Sequence, residues 1–520
     1  MSLVYKLRNR YIDLASRLLG HAKRVCTETK QGLDRYQPGF YDDATPKYNL
    51  IFRRQLSKLR HGRSDDGRPG VLPPTSAHRQ EMTSMRSTRK LVAAVAATAA
   101  AALALAACGS SGSSNSGSSA NGKVTLTWWS NANANPLLGV FKQLMTSYHA
   151  AHPNVSFNYV PIQNEQYDAK IQVALQGNNA PDIFFQRGGG FMATQAKSGE
   201  LANLGPYVSS WIGEIGGQAT AWQIAGKQYG VPYDLHTVGF WYRKDLFARA
   251  GITSPPTTIP ELESDVTKLK AAHISPIAVG SKDQWPDAFY YDYFAVRECS
   301  IDTLKTAVKD VSANYPCFAK AGDDLKAFMA TNPFQPAFLN TPAQTGAGSS
   351  AGMVAAGKAA MELQGDWDPS VFQALVSKSQ WQSDTTKLGW FPFPAVPGAP
   401  GNGQALLGGS DGNSCSTKAP EPACANFLEY LDSAAAQKLI VGASLLPANP
   451  AASSAVTLPA DQEVLQSSKA TPFVQEYLDL AWPTNVGTAL DSAVATFFAK
   501  PTTVSPQSIV SAIDQAAARQ

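Results

Sequence analysis

Paired carboxylates and loop-flanked tryptophans are the residues here whose types could act on a ligand. Asp366 and Asp368 lie two apart in GDWDP, and Asp234 and Asp411 form a second candidate pair. Two carboxyl groups cleave a glycosidic bond only when they face it across ~5–10 Å. The same groups also accept hydrogen bonds from sugar hydroxyls without any catalysis. No Walker loop, Gly-x-Ser-x-Gly or His-Glu-x-x-His occurs, and these are the motifs that would carry nucleotide, acyl or zinc chemistry. RGGG at 187–190 lacks the rest of a dinucleotide fingerprint. His149 and His152 stand at i, i+3, a spacing that could seat a metal, but no third ligand is evident. Their place in a last helical turn suits interaction with its dipole instead. No catalytic residue, metal or other cofactor is expected.

Aromatic side chains are the better clue. The chain has ten tryptophans. Several sit beside Gly, Pro, Asp or Asn, in WWSNAN, KDQWPD, QGDWDP and AWPTN. Such settings belong to loops at element ends, where ligand clefts form. Pyranose rings present apolar C–H faces that stack on flat aromatics, while planar polar groups bind their edges. Three or four of the ten are expected to touch ligand and the rest to be core.

The elements that would position them alternate. Residues 123–129, KVTLTWW, read as a first strand. After a polar loop, Leu137, Leu138, Phe141, Leu144, Met145 and Tyr148 share one helical face. VSFNYVPI returns as a strand, DAKIQVALQG reads as a helix stopped by Gly177, and APDIFFQ as a buried strand. This β-loop-α-β opening begins a parallel α/β sheet. The alternation continues to about Phe391, and the last hundred residues read as mostly helical, including PFVQEYLDLAW.

Length and charge set the wider frame. A chain of 520 residues exceeds one core. Its net charge of +4 hides a split: residues 1–81 carry 16 Lys/Arg against 8 Asp/Glu, and Arg86, Arg89 and Lys90 follow, which leaves −7 on the rest. A mildly acidic body argues against nucleic acid. The run LVAAVAATAAAALALAA at 91–107 is preceded by those three cations and ends at LAACG. That is a basic n-region, an apolar h-region and small residues before a cut. The run is too short and weakly apolar for a confident span. Cys108 is followed by the tether SSGSSNSGSSANG. Met82 and Met85 each open a conventional signal, so residues 1–81 read as an over-extended gene start or a disordered extension; N-terminal peptides of the native precursor decide between this and a genuine basic arm. Cys299, Cys317, Cys415 and Cys424 form an even set in an exported body. Of three connectivities, the local pairs Cys299 with Cys317 and Cys415 with Cys424 are favoured over zinc. Closing a loop of the first size stabilises by roughly 3 kcal/mol.

In this order and spacing, APDIFF, GELANL, YGVPYD, WYRKDLFARAGI, GKAAMELQGDW and LGWFPFPAVPG before GGSDG, behind the lipobox-like LAAC, resemble extracellular solute-binding protein family 1, the maltose-binding-protein-like carbohydrate binders of ABC importers. The resemblance covers about residues 123–510. It implies a type II periplasmic-binding-protein-like α/β fold with two lobes, each a mainly parallel sheet flanked by helices, and a hinge between them. Residues 82–107 would be the lipoprotein signal peptide and 108–122 the lipidated Cys108 and its tether. Residues 123–237 with 408–445 would form lobe 1, and 238–407 with 446–520 lobe 2. The chain would cross near 234–240 and 394–408. It would work as a monomer at the extracellular face of the cytoplasmic membrane and hand a di- or oligosaccharide to permease subunits. By resemblance, the ligand-binding residues are Trp129, Asn131, Gln163, Asn164, Tyr167, Arg187, Asp234, His236, Trp285, Asp287, Asp366, Trp367, Asp411 and Trp482. GDWDP and FPFPAVPG look like actinobacterial binders of plant-wall oligosaccharides such as xylobiose. The alternatives are a secreted lipoprotein glycoside hydrolase and a binder of a non-sugar solute.

Overall fold

Alternation in the first strand is realised as a parallel pair. In the computed structural model, which describes residues 122–520, Val124–Ser130 pairs with Val155–Pro161 over seven residues, from Val124 with Val155 to Ser130 with Pro161. The export segment, Cys108 and the tether lie outside the described residues. Ile183–Arg187 adds in parallel on the other side. Asp411–Cys415 then pairs antiparallel with Ile183–Arg187, and Val231–Pro232 closes the five-stranded sheet. The intervening helix Leu137–Ala151 buries Phe141, Leu144, Met145 and Tyr148. Trp128 fills this core, its ring 4.7 Å from Phe141 and its Nε1 donating to Asn413 Oδ1 at 2.9 Å. The core draws on residues between Leu126 and Tyr233 and between Cys415 and Leu445.

A second core begins at Val238 and takes in residues up to Leu407, then Tyr477 to Ala516. Its sheet runs in the order Leu388–Phe391, Gly239–Arg243, Ala359–Gln364, Ser275–Ala278. Only the last pair is parallel; Gly239–Arg243 is antiparallel to both neighbours. Each sheet thus has one reversed strand, Asp411–Cys415 in the first and Gly239–Arg243 in the second, and is otherwise parallel in direction, in line with the mainly parallel sheets expected. The class remains α/β, with helices such as Ile259–Ala271 packed on the sheet and closed by a Thr258–Glu261 capping box.

Between the cores lies a third sheet, Leu446–Pro447, Asp234–Thr237, Leu406–Gly409 and Val474–Glu476. Its two central strands run antiparallel, with Gly408 opposite Thr237 and Gly409 opposite His236. They approach so closely that a Cβ on Gly408 would stand 2.1 Å from His236 O, which only glycine permits. PFVQEYLDLAW is not one helix. Val474–Glu476 pairs in parallel with Leu406–Gly408, and only Leu478–Ala481 turns helical. The free edge of the crossing sheet outweighs local helix propensity there.

The disulfides form as Cys299 with Cys317 and Cys415 with Cys424, at Cα separations of 5.1 and 6.3 Å. Among the described residues, no helix is long and apolar enough to cross a membrane.

Candidate functional site

Where the crossing strands meet both cores, the structure opens a cleft of about 790 Å³. Its polar wall comes from loops at the carboxyl ends of the first sheet's parallel strands, where ligands bind in open α/β sheets. Asn131 follows the first strand, Gln163 and Asn164 follow the second, and Arg187 ends the third. Arg187 Nη1 donates to Asp168 Oδ1 at 2.5 Å and Nη2 to Asn164 Oδ1 at 2.9 Å. Burial opposes its charge, but Asp168, Asp411 and Asp479 raise its pKa and hold the guanidinium protonated. Gln163 Nε2 donates to Thr345 Oγ1 at 2.9 Å, joining the two sides of the cleft.

The opposite wall is aromatic. Trp285, Phe289, Trp367 and Tyr477 all line the cleft. Trp367 lies 6.3 Å from Trp285, 6.4 Å from Phe289 and 6.5 Å from Tyr477, ring centre to centre. It is seated over Gly365, where a Cβ would meet the indole at 2.2 Å. The indole nitrogens of Trp285 and Trp367 have no hydrogen-bond partner among the described residues.

Between the walls, His236 stacks edge-on against Trp367 at 4.8 Å. Its Nδ1 lies 2.8 Å from Asp366 Oδ1, and its Nε2 lies 3.2 Å from both Asp234 Oδ1 and Asp411 Oδ2. Burial disfavours an imidazolium, but Asp234, Asp366 and Asp411 outweigh it and raise the pKa well above the ordinary histidine value. Burial also raises Asp234, with His236 opposing and Asp411 and Asp366 reinforcing. Both groups therefore hold their protons more tightly than they would in water.

Nine of the fourteen expected residues line the cleft: Asn131, Gln163, Asn164, Arg187, Asp234, His236, Trp285, Trp367 and Asp411. Five do not. Trp482 is fully buried among the C-terminal helices, its Nε1 donating to Ala307 O at 3.1 Å. Trp129 packs against the first core. Tyr167 is buried and donates to Phe185 O at 2.9 Å. Asp287 is buried and accepts from Ser281 Oγ at 2.6 Å. Asp366 sits behind His236 and also accepts from Thr237 N at 3.2 Å and Leu446 N at 3.3 Å, so it braces two crossing strands. Asp368 is buried beside Glu362 and lies outside the cleft lining.

Sequence reasoning missed Tyr233, Phe289, Tyr477, Asp168 and Asp479. Phe289 had a signal, since it follows Trp285 by one helical turn. Tyr233 adjoins Asp234, whose crossing position was recognised. Tyr477 and Asp479 come from the segment misread as one helix. Burial raises Asp479 to about 6, opposed by Arg187 and reinforced by Asp168.

A ligand-sized cleft between two α/β cores, spanned by crossing strands and walled by aromatics and planar polar groups, defines a two-lobed solute receptor. A model described as bacterial extracellular solute-binding protein matches residues 131–438. The chain belongs to that family. A curated relative from Pyrococcus horikoshii, an uncharacterized ABC transporter extracellular-binding protein, is 24% identical over 277 residues, 52% of this chain and 59% of its own length. A lactose-binding protein of Rhizobium radiobacter is 28% identical over 134 residues, 25% of this chain and 31% of its own. The chain thus spans less than two thirds of either relative. A solved structure concerned with xylan utilization by the thermophilic bacterium Caldanaerobius polysaccharolyticus superposes with a TM-score of 0.69 at 23% identity, covering 75% of this chain and 99% of that one. A chitin oligosaccharide binding protein gives 0.66 at 22%, covering 76% and 99%. At such identities these structures establish the fold.

Proposed function

We propose that this protein captures a di- or oligosaccharide outside the cell and delivers it intact to the permease of an ABC importer, held at the outer face of the cytoplasmic membrane by lipid on Cys108. The observation that carries the ligand class is the pairing of walls. Trp285 and Trp367 are partly exposed and offer flat apolar surfaces, backed by the buried Phe289 and Tyr477, and Asn131, Gln163, Asn164 and Arg187 face the same space. Stacked faces with hydrogen-bonded edges are what a pyranose requires. Two aromatic surfaces in one cleft suit more than one ring. A cleft of about 790 Å³ also falls within the roughly 300–1,000 Å³ of small-molecule sites. The sugar-binding names and titles of the relatives support the same class, and the family supports export. Closure of the lobes about the crossing strands would bury the sugar and create the surface the permease reads.

A thermal-shift screen of the purified protein against mono- and oligosaccharides tests this. One sugar class should raise the melting temperature in proportion to ln(1 + [L]/Kd), and the sugar should be recovered unchanged. A folded sample that responds to no sugar would refute the ligand class, and cleaved sugar would refute the binder. For the anchor, Cys108→Ser should move the protein from the membrane fraction to the medium. Continued membrane retention would remove Cys108 from that role.

A further inference from the structure

In the crossing region one imidazole and two carboxylates converge. Asp234 and His236 are two apart on the strand Asp234–Thr237, so their side chains leave the same face. Asp411 opens the strand Asp411–Cys415, and its N–H donates to Asp234 Oδ1 at 2.9 Å. His236 Nε2, one Asp234 oxygen and one Asp411 oxygen all lie within 4.8 Å of one another.

Two features distinguish this cluster from an ion pair. The first is direction. Nε2 is 3.2 Å from each of the two carboxylate oxygens, yet it hydrogen-bonds neither, although the side chain is only 3% exposed. The oxygens flank the ring nitrogen instead of lying along its axis. An N–H aimed at a carboxylate prefers an angle above ~150°, so a proton on Nε2 has no in-line acceptor. The second is support. Asp366, held by Thr237 N at Oδ1 and Leu446 N at Oδ2, places Oδ1 2.8 Å from Nδ1. An anchored carboxylate keeps the proton on Nδ1 and turns the Nε2 lone pair outward, as behind metal-bound imidazoles. Spacing agrees as well. Donors ~2.0–2.2 Å from a first-row cation and ~90–110° apart are roughly 3.0–3.5 Å from each other. The two observed separations from Nε2 are 3.2 Å.

We propose that Asp234, His236 and Asp411 bind a divalent first-row transition cation of the Zn²⁺ or Mn²⁺ type. One imidazole nitrogen with two carboxylate oxygens favours such ions over Ca²⁺ and Mg²⁺, which take oxygen donors. Asp411 is 22% exposed while the other two are closed, so the remaining coordination positions face the cleft. The cation puts positive charge where the carboxylates of Asp234, Asp366 and Asp411 converge on the imidazole. The inference is independent of which solute the cleft takes.

The test uses the full chain, stripped with EDTA, returned to chelator-free buffer and titrated calorimetrically with ZnCl₂ and MnCl₂. One equivalent should bind, with affinity falling at least tenfold in both His236→Gln and Asp411→Asn. His152→Gln, which removes one of the two surface histidines at i, i+3, should leave that affinity unchanged. CaCl₂ and MgCl₂ should not saturate the site over the same range. The electron paramagnetic resonance spectrum of the Mn²⁺ form should show nitrogen coupling from one imidazole, absent in His236→Gln. Should that variant fail to fold, Asp411→Asn, at a partly exposed position, carries the comparison. No saturable binding up to millimolar cation would overturn the proposal. So would full affinity in both site variants, or its loss in His152→Gln.

Discussion

Replacing Trp367 with alanine is expected to weaken sugar binding by roughly 1–3 kcal/mol, the apolar contact of a large side chain, or about 5- to 150-fold in Kd. Of the cleft aromatics, Trp367 has the most ring neighbours. It adjoins Trp285, Phe289, Tyr477 and His236 and packs on both cores. It is half-buried, so one face remains for ligand. Its indole nitrogen has no partner among the described residues. Trp367→Phe should recover part of the loss, because a smaller flat ring still stacks. The contrast is Trp482→Phe: that indole is fully buried and bonded to Ala307 O, so its loss should lower the melting temperature and leave Kd unchanged. Calorimetric titration with the sugar found by the thermal screen measures both. Equal affinity in Trp367→Ala and the parent would remove Trp367 from the site.

What could be read from the sequence followed the range of the physics involved. The opening β-α-β unit was legible because strand alternation and the Phe141–Leu144–Met145–Tyr148 helix face are local patterns. Loop residues after parallel strands, such as Asn131, Gln163 and Arg187, were named through the family resemblance, and they reach the cleft because strand carboxyl ends open toward a crevice. Non-local pairing was not. Val474–Glu476 is a strand only because Leu406–Gly408 offers it an edge, and nothing within PFVQEYLDLAW states that. The antiparallel entry of Gly239–Arg243 depends likewise on partners far along the chain. Side-chain direction was the other limit. Asp366 and Trp367 are neighbours in sequence, yet Trp367 lines the cleft while Asp366 braces His236 from behind. Trp482 had the loop-like setting AWPTN, but the helices around it close over the ring. Tyr477 and Phe289 are ordinary core types that reach the cleft only as the buried backing of Trp367.

Arg297→Ala should cost about 3–5 kcal/mol of stability, the range for truncating a large buried side chain, with buried carbonyls losing their donor as well. Arg297 is 1% exposed. Its Nε donates to Pro394 O at 3.1 Å, Nη1 to Asn402 O at 3.2 Å and Ala405 O at 2.7 Å, and Nη2 to Phe393 O at 2.6 Å. The guanidinium lies over Tyr293 at 5.2 Å and Phe393 at 5.8 Å. Gly401 N returns a bond to Arg297 O at 2.9 Å. One side chain thus ties down the irregular segment 393–405, which leads into the crossing strand Leu406–Gly409. Burial lowers its pKa to about 10, with Tyr293 opposing. It is therefore charged at neutral pH, and since the depressed pKa changes the folding balance only above about pH 10, its contribution should be flat from pH 6 to 8. Alanine would leave four carbonyls without their donor and a guanidinium-sized void. Lysine restores the charge but not the planar fork that reaches four acceptors at once, so Arg297→Lys should recover less than half of the loss. Urea unfolding of the three proteins provides the measurement. A loss below about 1 kcal/mol in Arg297→Ala would match an ordinary surface substitution and would mean that the segment is held by its apolar packing, with the carbonyls finding water instead.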